Sequence, residues 1–536
     1  MAESVQALHR RAQRHLNRGE YGPLAACCKA IIARRQDFAD AWFLLSVVAE
    51  AAGDLPRAEG LRARALELDA GNAEYLAQQA RLLSRLNRNA EALAAARGAL
   101  DAGPANALGF DTVGVVLSRL ARYEEARGAL AEAVRLAPDN PQYRFNLAAA
   151  EQFLGHAEAA ETHYRAALAQ RPDFARAWWA LSELRKTGGA SADLPVLTAQ
   201  AERTDLSAED ALYLGHALAR EHELRGDHAA AFRALEKGKA GRRARALEGR
   251  ARDAALFTAL RESFRESDGE RRPASTDGAT PLFVVGMPRT GTTLVERILT
   301  SHDAVTSLGE IQDLAHAVRR SAGSGGSGAV LDPAVVRAAL AAPPGAAAAH
   351  YLESTAARLE NTAAPGRYLL DKMPLNALYL GFILRSLPSA RIVLLRRDPR
   401  DTCLSNYRQL FAVDYSYYDY HYDLESTARY VADFERLMAH WQALYGERIH
   451  SLSYEALVTD PEREVRALLA YLDLPWEPRC LAFHRNAAGV ATPSALQVRQ
   501  PLYRDALERW RRYERELAPA TAILAEAGVL PPAAGA

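Results

Sequence analysis

The sequence predicts a multidomain chain with an N-terminal all-α array of helical hairpins over 1–240. A helical connector and linker follow over 241–280, then an α/β domain with a parallel sheet over 281–536. Three observations carry this reading. Residues 39–72, 73–106, 107–140 and 141–174 superimpose at a 34-residue period without a gap. A polar stretch containing Gly and Pro, RESDGERRPASTDGAT, ends at Thr280 and reads as a linker. Beyond it, short β-branched runs alternate with helical stretches, the pattern of a parallel sheet. At 536 residues the chain is also too long for one hydrophobic core.

Within the period, Ala58, Ala92, Ala126 and Ala160 share one position, and Ala65, Ala99, Ala133 and Ala167 another. Small residues there let paired helices approach closely. Pro104, Pro138 and Pro172 close successive units, because proline cannot continue a helix. The best single copy is YEEARGALAEAVRLAPDN (123–140), which resembles a tetratricopeptide repeat. The resemblance takes in about 210–240 residues once degenerate end units at 5–38 and after 175 are counted, as capping repeats require. It implies a superhelix whose concave face docks a protein or peptide; a plain structural spacer is the alternative.

Bulk properties narrow the function classes. Lys plus Arg equals Asp plus Glu at 66 each, so the chain lacks the basic excess of a general nucleic-acid binder. Cys27, Cys28, Cys403 and Cys480 have no CxxC spacing and suggest neither a zinc site nor a disulfide framework. The first twenty residues lack a signal-peptide core, and no apolar run approaches the roughly 20 residues of a membrane helix. A cytoplasmic location without a membrane is the expectation.

In the second domain, LFVVG (282–286), RYLLDK (367–372) and RIVLLRR (391–397) read as strands, with helical stretches at 375–387 and 402–411. The first strand runs into GMPRTGTTLVERIL, a glycine-bounded turn ahead of a helix starting near Thr292. Backbone amides of Arg289 through Thr293 at a helix N-terminus make an anion seat. Arg289 adds a positive charge, while Thr292 and Thr293 add hydroxyls. A nucleoside triphosphatase would place lysine where Thr292 stands. No carboxylate ends the 391–395 run to help hold magnesium; Arg396 and Arg397 stand there instead. An NTPase is therefore the weaker reading.

These residues resemble the 5′-phosphosulfate loop of the sulfotransferases, in particular the protein-tyrosine sulfotransferase-like branch. The resemblance implies a P-loop-like fold, 3′-phosphoadenosine 5′-phosphosulfate (PAPS) as donor and co-substrate, and no metal. It spans 281–530 in five short motifs. Arg289, Thr290, Gly291, Thr292 and Thr293 form its loop. RRDPRDTCLSNYRQLF (396–411) is similar to the 3′-phosphate motif, with Arg397 and Ser405 eight residues apart as a two-point clamp. LDKMPLN (370–376) is similar to the strand-end lysine motif, which gives Lys372 the sulfonate as a target. YEALVTDPEREVRALLAYLDLPWEP (454–478) places Tyr454 beside the adenine, and the segment 492–517 offers Ser494 and Arg499. There the animal tyrosine-sulfating pattern, with its lysine nearer Gln500, is not kept.

Sulfuryl transfer resembles phosphoryl transfer, with in-line displacement governed by positioning and charge. It needs a base for the acceptor hydroxyl. Counting from Arg289, Glu310 falls on the family's catalytic glutamate, so Glu310, Lys372 and Arg289 are the expected catalytic residues. A carboxylate in the first turn of a helix is the bland alternative for Glu310. The family keeps arginines just after that glutamate for acidic peptides. Here Gln312, Asp313 and His316 come first, and Arg319 and Arg320 only later. Protein tyrosine is the leading acceptor, with a glycan or small-molecule hydroxyl second and a catalytically inactive scaffold third. SAGSGGSG (321–328) is flexible by composition. The tyrosine-dense DYSYYDYHYDL (414–424) reads as helix packing rather than an acceptor cleft, and His421, His440, His450 and His484 show no metal spacing.

Overall fold

The structure, a computed structural model, describes residues 3–86, 88–185, 193–264, 279–323, 331–343, 345–359, 366–411, 416–486 and 506–530. Its contacts divide the chain into two compact units, Met1–Gly189 and Ala190–Ala536.

In the first unit the sequence period becomes paired helices. The leading helices start at Ala39, Ala73, Ala107 and Pro141, and their partners at Leu55, Asn89, Tyr123 and Ala157. All eight repeated alanines named above are 0% exposed, so the helices touch where no larger side chain fits. Asn72, Asn106 and Asn140 are the N-caps of the leading helices, their side-chain oxygens accepting N–H bonds from the first turn. A further pair, Val5–Asn17 with Tyr21–Ile32, precedes these, and the helix Ala175–Leu184 follows.

The second unit opens with four helices, Leu194–Ala201, Ala208–Leu224, His228–Lys239 and Arg243–Ser263. The repeat reading carries the helices as far as residue 240 with the array; by contacts they pack within the second unit. A five-stranded parallel sheet follows: β1 (Thr280–Gly286), β2 (Val305–Gly309), β3 (Tyr368–Asp371), β4 (Arg391–Arg396) and β5 (Ile449–Ser453). The strand order is β2-β3-β1-β4-β5. From Pro281 onward β1 is buried and without polar side chains, because both faces are covered. Its Phe283 and Val285 join one core with Phe257, Leu260 and Phe264 of the leading helices. Its Leu282 and Val284 join the other, against Leu294, Ile298 and Leu468. The chain leaves β1 toward β2 and β3 and leaves β4 toward β5. The carboxyl ends of β1 and β4 therefore flank a topological switch point, where α/β sheets hold ligands.

The tyrosine-dense segment is packing. Tyr420 and Tyr422 are 2% and 3% exposed, and Tyr420 stacks on Tyr430 with ring centroids 3.9 Å apart. Its acids hold the preceding helix: Arg243 and Arg250 bond Asp423 at 2.8 and 2.7 Å, and Arg245 meets Asp419 at 3.0 Å. Among the described residues, no helix is long and apolar enough to cross a membrane.

Candidate active site

Beyond β1 the chain turns through Met287–Gly291 into the helix Thr292–Leu299. Gly291 sits at φ +108°, and a Cβ there would stand 2.7 Å from the Tyr454 ring; a Cβ on Gly286 would stand 2.6 Å from the Leu395 carbonyl oxygen. Both positions therefore require glycine, and the loop backbone lies directly on its supports. Arg289 is also left-handed, at φ +67°. Among the described residues no side chain caps the helix, so its first-turn amides keep the character of an anion seat. Thr292 and Thr293 are buried in that first turn. The Thr290 hydroxyl is spent on the Met287 carbonyl at 2.7 Å, which leaves its backbone amide as what it can offer a ligand.

On the β4 side, Arg397 donates to Ser405 Oγ at 3.2 Å, to the Arg289 carbonyl at 3.3 Å and to the Ala506 carbonyl. Its guanidinium faces Asp401 at 3.6 Å and lies 4.8 Å from the Tyr454 ring centroid. Among the described residues, the buried Arg397 Nε has no hydrogen-bond partner. Ser405 is placed by the helix Pro399–Arg408, which Asp398 caps through the Arg400 N–H. Asn406 of that helix donates to the Pro288 carbonyl at 2.9 Å and accepts from the Tyr420 hydroxyl at 2.8 Å. The clamp pair and the glycine loop are thus one bonded assembly.

On the β3 side, Lys372 is 0% exposed and its N–H donates to the Gly309 carbonyl at 3.0 Å, which brings the ends of β2 and β3 together. Its Nζ bonds Glu310 and lies 3.5 Å from Glu296, on the helix that follows the loop. Ser307 Oγ donates to Glu296 at 2.6 Å and accepts from the Gly309 N–H at 2.9 Å. Glu310 precedes the helix Asp313–Ser321 and its N-cap Gln312, so it is not a first-turn carboxylate. Strand register therefore places Glu310 on Lys372 and both beside the loop helix.

The carboxyl next to this lysine behaves differently. Asp371 is fully buried, and burial pushes it up to about 8 although the Tyr351 hydroxyl and Met373 N–H bond it, each at 3.2 Å. The folded chain keeps this proton to about pH 8, whereas an unfolded Asp loses it near pH ~4. The folded state binds the extra proton, so Asp371 makes stability decline as pH rises between those values and adds no slope above them. An Asp371→Asn variant is expected to remove that slope. Its melting temperature relative to the parent should climb from pH 5 to pH 8; a constant difference would show that Asp371 does not titrate in this way.

Of the expected site residues, the structure gathers Arg289, Thr290, Gly291, Thr292, Thr293, Arg397, Ser405 and Tyr454 around one loop, with Glu310 and Lys372 joined to it through Glu296. Ser494 and Arg499 lie outside the described residues. Sequence reasoning passed over Glu296, Ser307 and Asn406. Glu296 had a signal: it lies three and four residues after the paired threonines, on their face of an otherwise largely apolar helix. Among the described residues no group of three or more His, Cys, Asp or Glu side chains could hold a metal ion.

The second unit is thus an α/β domain whose first parallel strand feeds a lysine-free phosphate-type loop, with a second basic strand end beside it. Residues 281–478 match the model of the sulfotransferase family. An uncharacterised protein of Aquifex aeolicus (strain VF5) is 34% identical over 249 residues, which cover 46% of this chain and 32% of that protein. The chain thus spans about a third of that relative's length. Protein-tyrosine sulfotransferase 1 of Danio rerio is 26% identical over 273 residues, covering 48% of this chain and 72% of that protein. Among solved structures, YrrB, described as a TPR protein with an unusual peptide-binding site, aligns at 21% identity with a TM-score of 0.29. That alignment covers 39% of this chain and 98% of YrrB.

Proposed function

We propose that the second unit transfers a sulfonate from PAPS to an acceptor hydroxyl. The observation that carries this reading is the pair of cationic centres on the strands flanking β1: Lys372 after β3 and the Arg397–Ser405 clamp after β4. The residues suit such a donor. The helix that follows the glycine turn offers its first-turn amides, and the buried Arg397 Nε, without a hydrogen-bond partner among the described residues, has hydrogen-bonding capacity to give. In this reading Arg289, Thr290, Gly291, Thr292 and Thr293 hold the 5′-phosphosulfate, Arg397 and Ser405 hold the 3′-phosphate, and Tyr454 buttresses the loop from behind. Ser494 and Arg499 complete the donor site by family resemblance.

PAPS supplies the activated sulfonate. Glu310 takes the proton of the incoming hydroxyl, and Lys372 and Arg289 neutralise charge around the transferring group. The Lys372–Glu310 contact holds both groups in place before the substrates arrive. Protein tyrosine is the acceptor class suggested by the Danio rerio relative, and the helical array would dock the acceptor or another partner. One observation favours a glycan or small-molecule hydroxyl instead. Behind Glu310, Asp313 is buried against Arg358 in a bidentate pair at 2.6 and 2.7 Å. The stretch that would grip an acidic peptide thus carries an acid, with its arginine partner already taken.

Thermal shift tests the donor. Adenosine 3′,5′-bisphosphate is expected to raise the melting temperature, and ATP with magnesium to leave it nearly unchanged. Stabilisation by ATP-magnesium alone would sink the sulfotransferase reading.

A further inference from the structure

Glu223 lies in the helix Ala208–Leu224, well before the family match begins at residue 281. Its side chain is 5% exposed and accepts from both Nε and Nη2 of Arg408. It also accepts from the Tyr513 hydroxyl at 2.5 Å and faces Arg509 Nη2 at 3.4 Å. Arg408 ends the helix Pro399–Arg408, one turn after Ser405. Arg509 and Tyr513 bound a short 3₁₀ turn that is also tied to the clamp helix. The Trp510 N–H donates to Asp401 at 2.8 Å, and the Ala506 carbonyl accepts from Arg397. One carboxylate of the leading helices thereby closes a ring of contacts through Arg408, the Ser405 helix, Arg397, Ala506 and Arg509.

In this ring two guanidiniums, of Arg408 and Arg509, meet the one Glu223 carboxylate. Burial by itself would raise the Glu223 carboxyl, but Arg408 and Arg509 outweigh it and hold it down to about 2. The Arg408 charge, with burial, pushes Arg509 down to about 10. A buried ion cluster contributes little net stability, because desolvation offsets the attraction; what it fixes well is geometry. The geometry fixed here is that of Ser405 and of the turn that touches Arg397.

We propose that Glu223 is a positioning residue of the donor clamp, so that the leading helices of the second unit are part of the donor site. The inference rests on the sulfotransferase reading and extends it to a carboxylate outside the matched region. Glu223 acts by drawing Arg408 and Arg509 together. Without its charge the two guanidiniums repel, the turn moves away from Asp401 and Arg397, and the 3′-phosphate loses a preformed seat.

The test uses the full chain and adenosine 3′,5′-bisphosphate, with affinity read by titration calorimetry and folding by melting temperature. Glu223→Gln is expected to weaken bisphosphate binding about tenfold or more, in line with losing hydrogen bonds to charged groups. Tyr513→Phe, which keeps the ring packing, is expected to weaken it by a smaller factor, and Glu223→Asp to recover part of the loss. A merely structural role would lower the melting temperature of both variants while the folded protein bound with the parent's Kd. That result, or affinities within twofold of the parent, overturns the proposal. Where Glu223→Gln fails to fold, Tyr513→Phe decides by the same criterion. A parent chain that binds no bisphosphate overturns the sulfotransferase reading, and the proposal with it; a binding parent with unaffected variants overturns the proposal alone.

Discussion

Lys372→Met is expected to lower sulfonate transfer by about 10²–10³-fold while bisphosphate affinity stays within a few-fold of the parent. The asymmetry follows from placement. Lys372 extends from the end of β3 to Glu310 and Glu296, whereas Arg397 and Ser405 sit after β4, across the central strand. The bisphosphate lacks the sulfonate that Lys372 is proposed to neutralise, so its binding barely registers the loss. Glu310→Ala should behave alike: intact bisphosphate binding, with sulfonate transfer from PAPS to a tyrosyl peptide, and the bisphosphate release that accompanies it, abolished. Normal turnover by a folded Glu310→Ala chain would remove it as the base. Stability also changes in the lysine variant, because Glu296 and Glu310 lose the ammonium between them. That cost falls below the roughly 3–5 kcal/mol of a fully buried broken pair, since the Glu310 side chain is 37% exposed and can turn to water. The measurements are initial rates of bisphosphate release, bisphosphate titration and a melting curve. Parallel loss of transfer and binding would mean that Lys372 shapes the loop rather than serving the sulfonate.

What the sequence disclosed and what it concealed have physical reasons. The repeat array was legible because each unit writes the same solution again: alanines at 0% exposure where helices cross and an asparagine cap at the next helix start. β1, β3 and β4 were legible as apolar runs because they lie inside the sheet. β2 and β5 are its edges. Val305–Gly309 and Ile449–Ser453 are only partly buried and carry serine or histidine, so neither rises above loop composition. The helix after β4 starts at Pro399 rather than 402, since Asp398 and Pro399 form its cap and first turn, a signal the sequence reading did not use. The glycine loop, Lys372 and the Arg397–Ser405 spacing could be read because local geometry fixes them. Glu296 carried only a weak signal in the sequence; its partners, Ser307 and Lys372, arrive from strands further along the chain. The helices before the linker were the hardest case. Their helical pattern suits a repeat, and their true neighbours, such as Asp423 for Arg243, lie 180 residues away.

A chain beginning at residue 279, close to the start of the family match, is expected not to reach a cooperative folded state, whereas one beginning at 193 is. Phe257, Leu260 and Phe264 are 0–1% exposed, within the core that covers one face of the sheet. Phe264 meets Phe382 and Trp441 edge to face, at 5.1 and 5.2 Å between centroids. Gly381 leaves the space that this ring fills, since a Cβ there would come within 2.6 Å of it. Leu256, Phe232 and Leu235 belong to the same core. At about 2 kcal/mol per buried side chain, losing these six forfeits on the order of 10 kcal/mol. That is comparable to the whole stability of an ordinary domain, about 5–15 kcal/mol. Charges would be stranded as well: Asp419 and Asp423 lose Arg245, Arg243 and Arg250, and Arg408 and Arg509 lose Glu223. Circular dichroism melts and amide proton dispersion of the two chains decide the matter. A sharp transition and dispersed spectrum from the chain beginning at 279 would show that the sheet and its own helices suffice. The leading helices would then be an accessory rather than a wall of the catalytic core.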